Sequence, residues 1–99
     1  MKVCFLGTGS IGQRHILNLK EIIKDQLIVH AVRSSTGPLP VSIEGIVSKT
    51  FFSCADADND YDAVFITNPT FLHYQAILDM QTKGRYFFVE IRFIALSPP

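Results

Sequence analysis

The chain has 99 residues, of which 47% are hydrophobic and only 18% are charged. This composition suits one compact domain and excludes a disordered chain. Nine Lys and Arg residues balance nine Asp and Glu residues, so no net charge attracts nucleic acid or an anionic membrane. Any anion must therefore bind at a local site.

The cysteines and the apolar runs exclude further classes. Cys4 and Cys54 do not form a C-x-x-C pair, and no His/Cys cluster has metal-ligand spacing, so we expect no metal site and a buried strand position for Cys4. The apolar run at residues 3–6 is too short for a signal peptide, and no run approaches the length of a transmembrane helix. We expect a reduced, cytoplasmic protein.

Strands and helices alternate in the first half of the chain. Residues 3–6 form the first predicted strand, and residues 11–24 place apolar side chains at helical spacing. Residues 27–32 form a second strand that is apolar enough to be buried on both faces. A loop follows at residues 33–40, because a glycine and two prolines interrupt regular structure there.

The second half continues this alternation. Its predicted strands are residues 46–52, 63–66 and 86–89, and its predicted helices are residues 53–58 and 71–83. Ser53 is the predicted N-cap of the shorter helix, and Gly84 is the predicted stop of the longer one.

This order predicts a doubly wound α/β fold of the Rossmann type. We expect a parallel sheet of about five strands in the order 3-2-1-4-5, with helices on both faces. Right-handed crossovers then place a ligand crevice at the carboxyl ends of strands 1 and 4. The turn after residue 6 and the loop at residues 67–69 should meet there.

The turn after the first strand has the spacing G-x-G-x-x-G. Gly7 allows a sharp turn, Gly9 would let backbone N–H groups approach a pyrophosphate, and Gly12 would let the helix pack closely on the strand. The free N–H groups at the helix start, at Ser10 and Ile11, form an anion site without a charged side chain. The motif indicates a dinucleotide phosphate site, although alone it also fits a plain strand-to-helix connection.

Arg33 follows the second strand, where NAD-binding sites carry an Asp or Glu that binds the ribose 2′-hydroxyl. A guanidinium can instead bind a 2′-phosphate, with added hydrogen bonds from Ser34 and the hydroxyls after it. The sequence thus favours NADP(H), with NAD(H) as the alternative cofactor and a solvated loop arginine as the alternative interpretation. Arg33 is unsuited to the bare ribose diol of a methyltransferase cofactor, and no Gly-Lys-Ser/Thr indicates a P-loop.

Taken together, these segments resemble the Gfo/Idh/MocA oxidoreductases, named for glucose–fructose oxidoreductase and inositol dehydrogenase. The resemblance lies in residues 3–15, in residues 61–70 with His73 after them, and in residues 88–90. It implies a nicotinamide dinucleotide cofactor. It also implies hydride transfer to or from a hydroxyl or carbonyl carbon of a sugar-like or cyclitol substrate.

The resemblance also implies roles for particular residues. Thr67, Asn68 and Pro69 would lie along the nicotinamide ribose, and Glu90 would help hold that end of the cofactor. His73, on an apolar helix face, is interpreted as a packed histidine near that loop rather than as a catalytic base.

Two departures from the family pattern bear on activity. The family has Glu-Lys-Pro where this chain has Glu90, Ile91 and Arg92, and an arginine does not deprotonate as the family's lysine can. Relatives also continue into further Rossmann elements and a substrate domain. We therefore expect residues 1–99 to be an incomplete NAD(P)-binding domain, inactive alone, whose open surface a missing domain or a second copy would cover. The alternative is a non-catalytic nucleotide-binding or interaction module that has lost the lysine.

Overall fold

A computed structural model describes residues 1–34, 36–67 and 73–89, apart from the side chain of His73. The strands are β1 (Lys2–Leu6), β2 (Ile28–Val32), β3 (Val47–Phe51), β4 (Tyr61–Ile66) and β5 (Gly84–Val89). The helices are α1 (Ser10–Ile23), α2 (Val41–Glu44) and α3 (His73–Met80), and single 3₁₀ turns lie at Lys24–Gln26 and Cys54–Asp56. No helix in the described ranges is long and apolar enough to cross a membrane.

The five strands form one parallel sheet in the order β3-β2-β1-β4-β5. In the central register Phe5 lies opposite Ala31 on one side and Phe65 on the other. The predicted fold class and strand order are confirmed. The carboxyl ends of β1, β2 and β4 therefore lie side by side at one edge of the sheet.

Alternation along β1 divides the core into two layers, because successive side chains of a strand point to opposite faces. Val3 and Phe5 pack in one cluster with Ile16 of α1 and Ile43 of α2. Cys4 lies in the cluster on the other face, where α3 contributes Ala76 and Met80. Helices thus cover both faces as predicted, and Cys4 is the fully buried strand residue that the sequence indicated.

The end of the longer predicted helix is wrong. α3 ends at Met80, where the backbone N–H of Lys83 donates to the Met80 carbonyl at 2.9 Å, and Gly84 already begins β5. A Cβ at Gly84 would lie only 2.5 Å from Cγ2 of Val64. Glycine is therefore required there by close packing in the sheet rather than by a helix terminus. The predicted helix start at residue 71 lies outside the described residues.

Two short elements connect the strands between β2 and β4. α2 was not predicted, because a single turn is too short to show a helical period; it begins after Pro40, whose carbonyl accepts from the backbone N–H groups of Ile43 and Glu44 at 3.1 Å. The cap at Ser53 is confirmed, since its Oγ accepts from the Ala55 N–H at 3.1 Å. The helix that it caps is only one 3₁₀ turn.

Candidate dinucleotide site

Backbone hydrogen bonds join three strand ends at the carboxyl edge of the sheet. The N–H of Gly7 donates to the Val32 carbonyl at 3.0 Å, and the N–H of Thr67 donates to the Leu6 carbonyl at 3.0 Å. The turn after β1 and the start of the loop after β4 are thus adjacent. The structure therefore places the glycine turn next to the end of the fourth strand, as predicted.

The glycine turn leads directly into an uncapped helix. Gly7 has φ 104°, a left-handed conformation that strongly favours glycine. Gly9 is the N-cap of α1, and neither a capping side chain nor an acidic residue occupies its first turn. Because the first N–H groups of a helix have no partner within the helix, the N–H groups of Ser10 and Ile11 are suited to bind an anion.

The other two glycines differ in the space around them. A Cβ at Gly9 would meet no atom within 4 Å, whereas a Cβ at Gly12 would lie 2.7 Å from the Gly7 carbonyl oxygen and 2.9 Å from Oγ1 of Thr67. Thr67 Oγ1 itself donates to the Gly7 carbonyl at 3.0 Å. Gly12 therefore permits close packing of helix, turn and β4, while Gly9 borders open space that a ligand can fill.

Arg33 is held both by the end of β3 and by the loop that it begins. Its N–H donates to the Phe51 carbonyl at 2.9 Å, and Nη1 of its guanidinium donates to the Gly37 carbonyl at 2.9 Å. Nη2 makes a longer contact of 3.5 Å with the Pro38 carbonyl. Nε is buried and has no hydrogen-bond partner among the described residues. The guanidinium is thus partly ordered before any ligand binds, and Ser34 beside it is exposed.

Several residues predicted for the nicotinamide end lie outside the described part of the chain. These are Asn68, Pro69 and Glu90. The backbone of His73 begins α3, but its side chain is not described. Of this group, only Thr67 is placed, at the crevice beside Gly7.

Two polar side chains at this edge were not identified from the sequence. Gln13 Nε2 donates to the Thr8 carbonyl at 3.0 Å, and Gln13 Oε1 accepts from Oγ of Ser42 at 3.0 Å. Ser42 belongs to α2, the helix that the sequence did not reveal. Because α2 was not predicted, no pattern in the sequence indicated that Ser42 lies next to Gln13.

A second polar cluster lies at the opposite, amino edge of the sheet. The hydroxyl of Tyr61 is 2.8 Å from Nδ1 of His30 and accepts from the Asp58 N–H at 3.2 Å. Lys2 Nζ forms ion pairs with Asp58 and Asp60 at 2.7 and 2.6 Å. Burial lowers the pKa of His30 against the opposing effect of Asp58, and burial raises the pKa of the Cys4 thiol to about 12. A neutral histidine and an inert thiol suit a structural cluster rather than a catalytic one.

Residues 1–91 match the model of the family Gfo/Idh/MocA, described as an oxidoreductase family with an NAD-binding Rossmann fold. The chain belongs to this family. No match was found among curated proteins or among solved structures. Family membership confirms the resemblance and assigns an oxidoreductase domain whose cofactor is a nicotinamide dinucleotide.

The described residues fit such a cofactor for this member of the family. The uncapped N-terminus of α1 and the open space at Gly9 suit a pyrophosphate, which needs N–H donors and close approach to the backbone. The exposed Nη end of the Arg33 guanidinium is a cationic group one strand away. In the described ranges, no group of three or more His, Cys, Asp or Glu side chains could hold a metal ion.

Proposed function

We propose that this chain is the dinucleotide-binding part of an oxidoreductase that prefers NADP(H) and acts on a sugar-like or cyclitol substrate. The observation that supports binding most directly is the uncapped start of α1 next to open space at Gly9. The bound cofactor supplies the hydride chemistry, while this chain binds and orients it.

Different groups of residues would bind the two ends of the cofactor. The turn at Gly7 and Gly9 and the N–H groups at Ser10, Ile11 and Gly12 would bind the pyrophosphate. The nicotinamide end would lie near the loop that begins at Thr67. Its further proposed contacts are Asn68, Pro69, His73 and Glu90.

The preference for NADP(H) depends on Arg33. The loop at residues 33–40 contains no Asp or Glu that could bind a ribose diol and repel a 2′-phosphate. Arg33 instead supplies a permanent positive charge, and its Nε has no partner in the described part of the chain. A 2′-phosphate would accept a charge-assisted hydrogen bond from the exposed Nη end of this guanidinium. NAD(H) remains the alternative cofactor.

The cofactor preference is tested by titrating wild type and Arg33→Ala with NADPH and with NADH. Loss of a charge-assisted bond should weaken NADPH binding about tenfold or more, while NADH binding changes much less. Arg85→Ala, on exposed β5, is the matched control. Equal wild-type affinities for the two cofactors, or an unchanged affinity ratio in Arg33→Ala, would show that Arg33 does not bind the phosphate.

A non-catalytic nucleotide-binding or interaction module is the second candidate, favoured by the absence of lysine after Glu90. Both candidates predict that the isolated 99-residue chain binds cofactor without turning over a sugar or cyclitol. Measurable dehydrogenase activity of that chain would contradict both. The gene sequence downstream distinguishes them, because an enzyme needs a substrate domain with an acid–base group facing the nicotinamide.

We also propose a cytoplasmic location and a partner that covers β5. Cys4 and Cys54 are free thiols, which fits a reducing cytoplasm. Tyr86 and Phe88 of β5 are more than half exposed, and a substrate domain or a second copy of the chain would cover them. We propose no nucleic-acid or membrane partner, since the formal charge is zero.

A further inference from the structure

We propose that Gln13 is a positioning residue that orients the pyrophosphate turn. Its side chain fixes the direction of the peptide bond between Thr8 and Gly9, and with it the direction of the Gly9 N–H. The inference rests on the proposed dinucleotide function, because it assigns a role within the same phosphate site.

The contact of Gln13 with the turn determines this direction. Nε2 of Gln13 donates to the Thr8 carbonyl at 3.0 Å. No described peptide bond is cis, and in a planar trans peptide the C=O and the following N–H point in opposite directions. The N–H of Gly9 therefore points away from Gln13. A ligand beside Gly9 would accept from this N–H, and there is open space at the Cβ position of the same residue.

The amide of Gln13 is itself held in place from the other side. Ser42 Oγ donates to Gln13 Oε1 at 3.0 Å, and the neighbouring Ile43 is fully buried in the core. A carbonyl can only accept, so the Thr8 carbonyl requires the NH₂ group of Gln13 and leaves Oε1 for the Ser42 hydroxyl. The two hydrogen-bond partners therefore determine which atom of the Gln13 side chain is the nitrogen and which is the oxygen.

The contact with Ser42 also brings Gln13 close to the loop at residues 33–40. Ser42 lies in α2, directly after the loop at residues 33–40 that Arg33 holds through the Gly37 carbonyl. Ser42 therefore connects Gln13 to the helix that follows this loop, while the loop itself is held by Arg33. Gln13 is half-buried on α1, and both the NH₂ group and the oxygen of its side chain form hydrogen bonds.

Gln13→Met tests the role, because methionine keeps the length and helix propensity of glutamine but has no N–H donor. Binding of NADPH, of ADP as a pyrophosphate probe and of 2′-AMP as an adenosine probe is measured by calorimetry. Loss of an oriented N–H bond to a charged ligand should weaken NADPH and ADP about tenfold and leave 2′-AMP within about twofold. The Gly9 amide should also lose most of its ADP-induced NMR shift.

Two further variants are measured beside Gln13→Met. Ser42→Ala removes only the anchor of the amide and should weaken ADP by a smaller factor, about threefold. It carries the test if Gln13→Met does not fold. Gln81→Met, an exposed position after α3, is the matched control and should bind all three ligands as wild type does.

The outcomes separate this inference from the function on which it rests. If wild type binds neither NADPH nor ADP, the proposed function fails and the role of Gln13 fails with it. If wild type binds both and the folded variants bind them equally well, only the role of Gln13 is wrong. A parallel loss of 2′-AMP affinity in Gln13→Met would also contradict it, because general disruption of the domain would then explain the result.

Discussion

The two edges of the sheet use different groups to hold their strands together. At the amino edge, charged and aromatic side chains connect the strands, with Lys2 of β1 paired to Asp58 and Asp60 and with His30 of β2 joined to Tyr61 of β4. At the carboxyl edge, the backbone N–H groups of Gly7 and Thr67 and the hydroxyl of Thr67 connect the strand ends. The charged and aromatic contacts at the amino edge stabilise the fold, while the carboxyl edge keeps the uncapped N–H groups at the start of α1, which suit an anion.

This division predicts that substitutions at the carboxyl edge change binding and that substitutions at the amino edge change stability alone. Gly12→Ala should have the largest effect, because its Cβ would lie 2.7 Å from the Gly7 carbonyl oxygen, a backbone atom with little freedom to move. We expect destabilisation of about 1–3 kcal/mol, as for other overpacked sites, and loss of cofactor binding. Thermal unfolding and NADPH titration measure the two effects.

Gly9→Ala is the counterpart in the same turn. Gly9 has φ −70° and open space around its Cβ position, so alanine should cost less than about 1 kcal/mol as a poorer N-cap. Its methyl group would nevertheless occupy the space assigned to the pyrophosphate, and NADPH affinity should fall. An equal loss of stability in the two alanine variants, or full NADPH affinity in Gly9→Ala, would contradict this account of the turn.

At the amino edge, Tyr61→Phe should reduce stability and leave binding unchanged. The substitution removes the hydroxyl shared by His30 and the Asp58 N–H, and Tyr61 is only 3% exposed. Loss of this buried hydroxyl should cost about 1–2 kcal/mol. Tyr86→Phe, at a residue that is 62% exposed, is the control and should unfold like wild type. A weaker NADPH affinity in Tyr61→Phe would argue against separate roles for the edges.

The smallest expected effect is a pH dependence from His30. Burial lowers its folded-state pKa below the ordinary value of 6.5, although Asp58 opposes this. The unfolded chain therefore binds a proton at His30 first, so the stability contributed above pH 6.5 is lost as the pH falls below that value. His30→Gln should flatten the stability profile just below pH 6.5, whereas an unchanged slope would contradict the assignment.

The pKa of Asp58 is also lowered, chiefly by its hydrogen bond to Lys2. For this carboxylate, stability is present above the ordinary pKa of 3.8 and is lost as the pH falls through the lower folded-state value. The loss from His30 therefore begins below pH 6.5, and the loss from Asp58 begins only below pH 3.8. Urea unfolding of wild type and His30→Gln across both ranges measures each contribution.

The sheet could be predicted because its strands carry local signals. Residues 27–32 and 63–66 are nearly all apolar, and the glycines at positions 7, 9 and 12 mark the turn between β1 and α1. These local patterns determine the strand order once crossover handedness is added. The same reasoning misassigned Gly84, because its close approach to Val64 depends on packing between two strands.

The site was only partly predictable for a related reason. Thr67 lies beside the glycine turn, where the loop after the fourth strand was predicted to meet it, because both strands that position it are strongly patterned. The bonds between Arg33 and the Gly37 carbonyl and between Ser42 and Gln13 depend on how one loop and one short helix fold back. Such contacts produce neither a periodic pattern nor a motif in the sequence.

The central claim is that a dinucleotide binds at the carboxyl edge, and amide NMR of the chain titrated with NADPH tests it most directly. The amides of Gly7, Gly9, Gly12 and Thr67 should shift with one saturating curve, while those of Tyr61 and Lys83 at the amino edge stay within error. Saturable shifts centred on the amino edge, or no saturable shift at the glycine turn, would contradict the account.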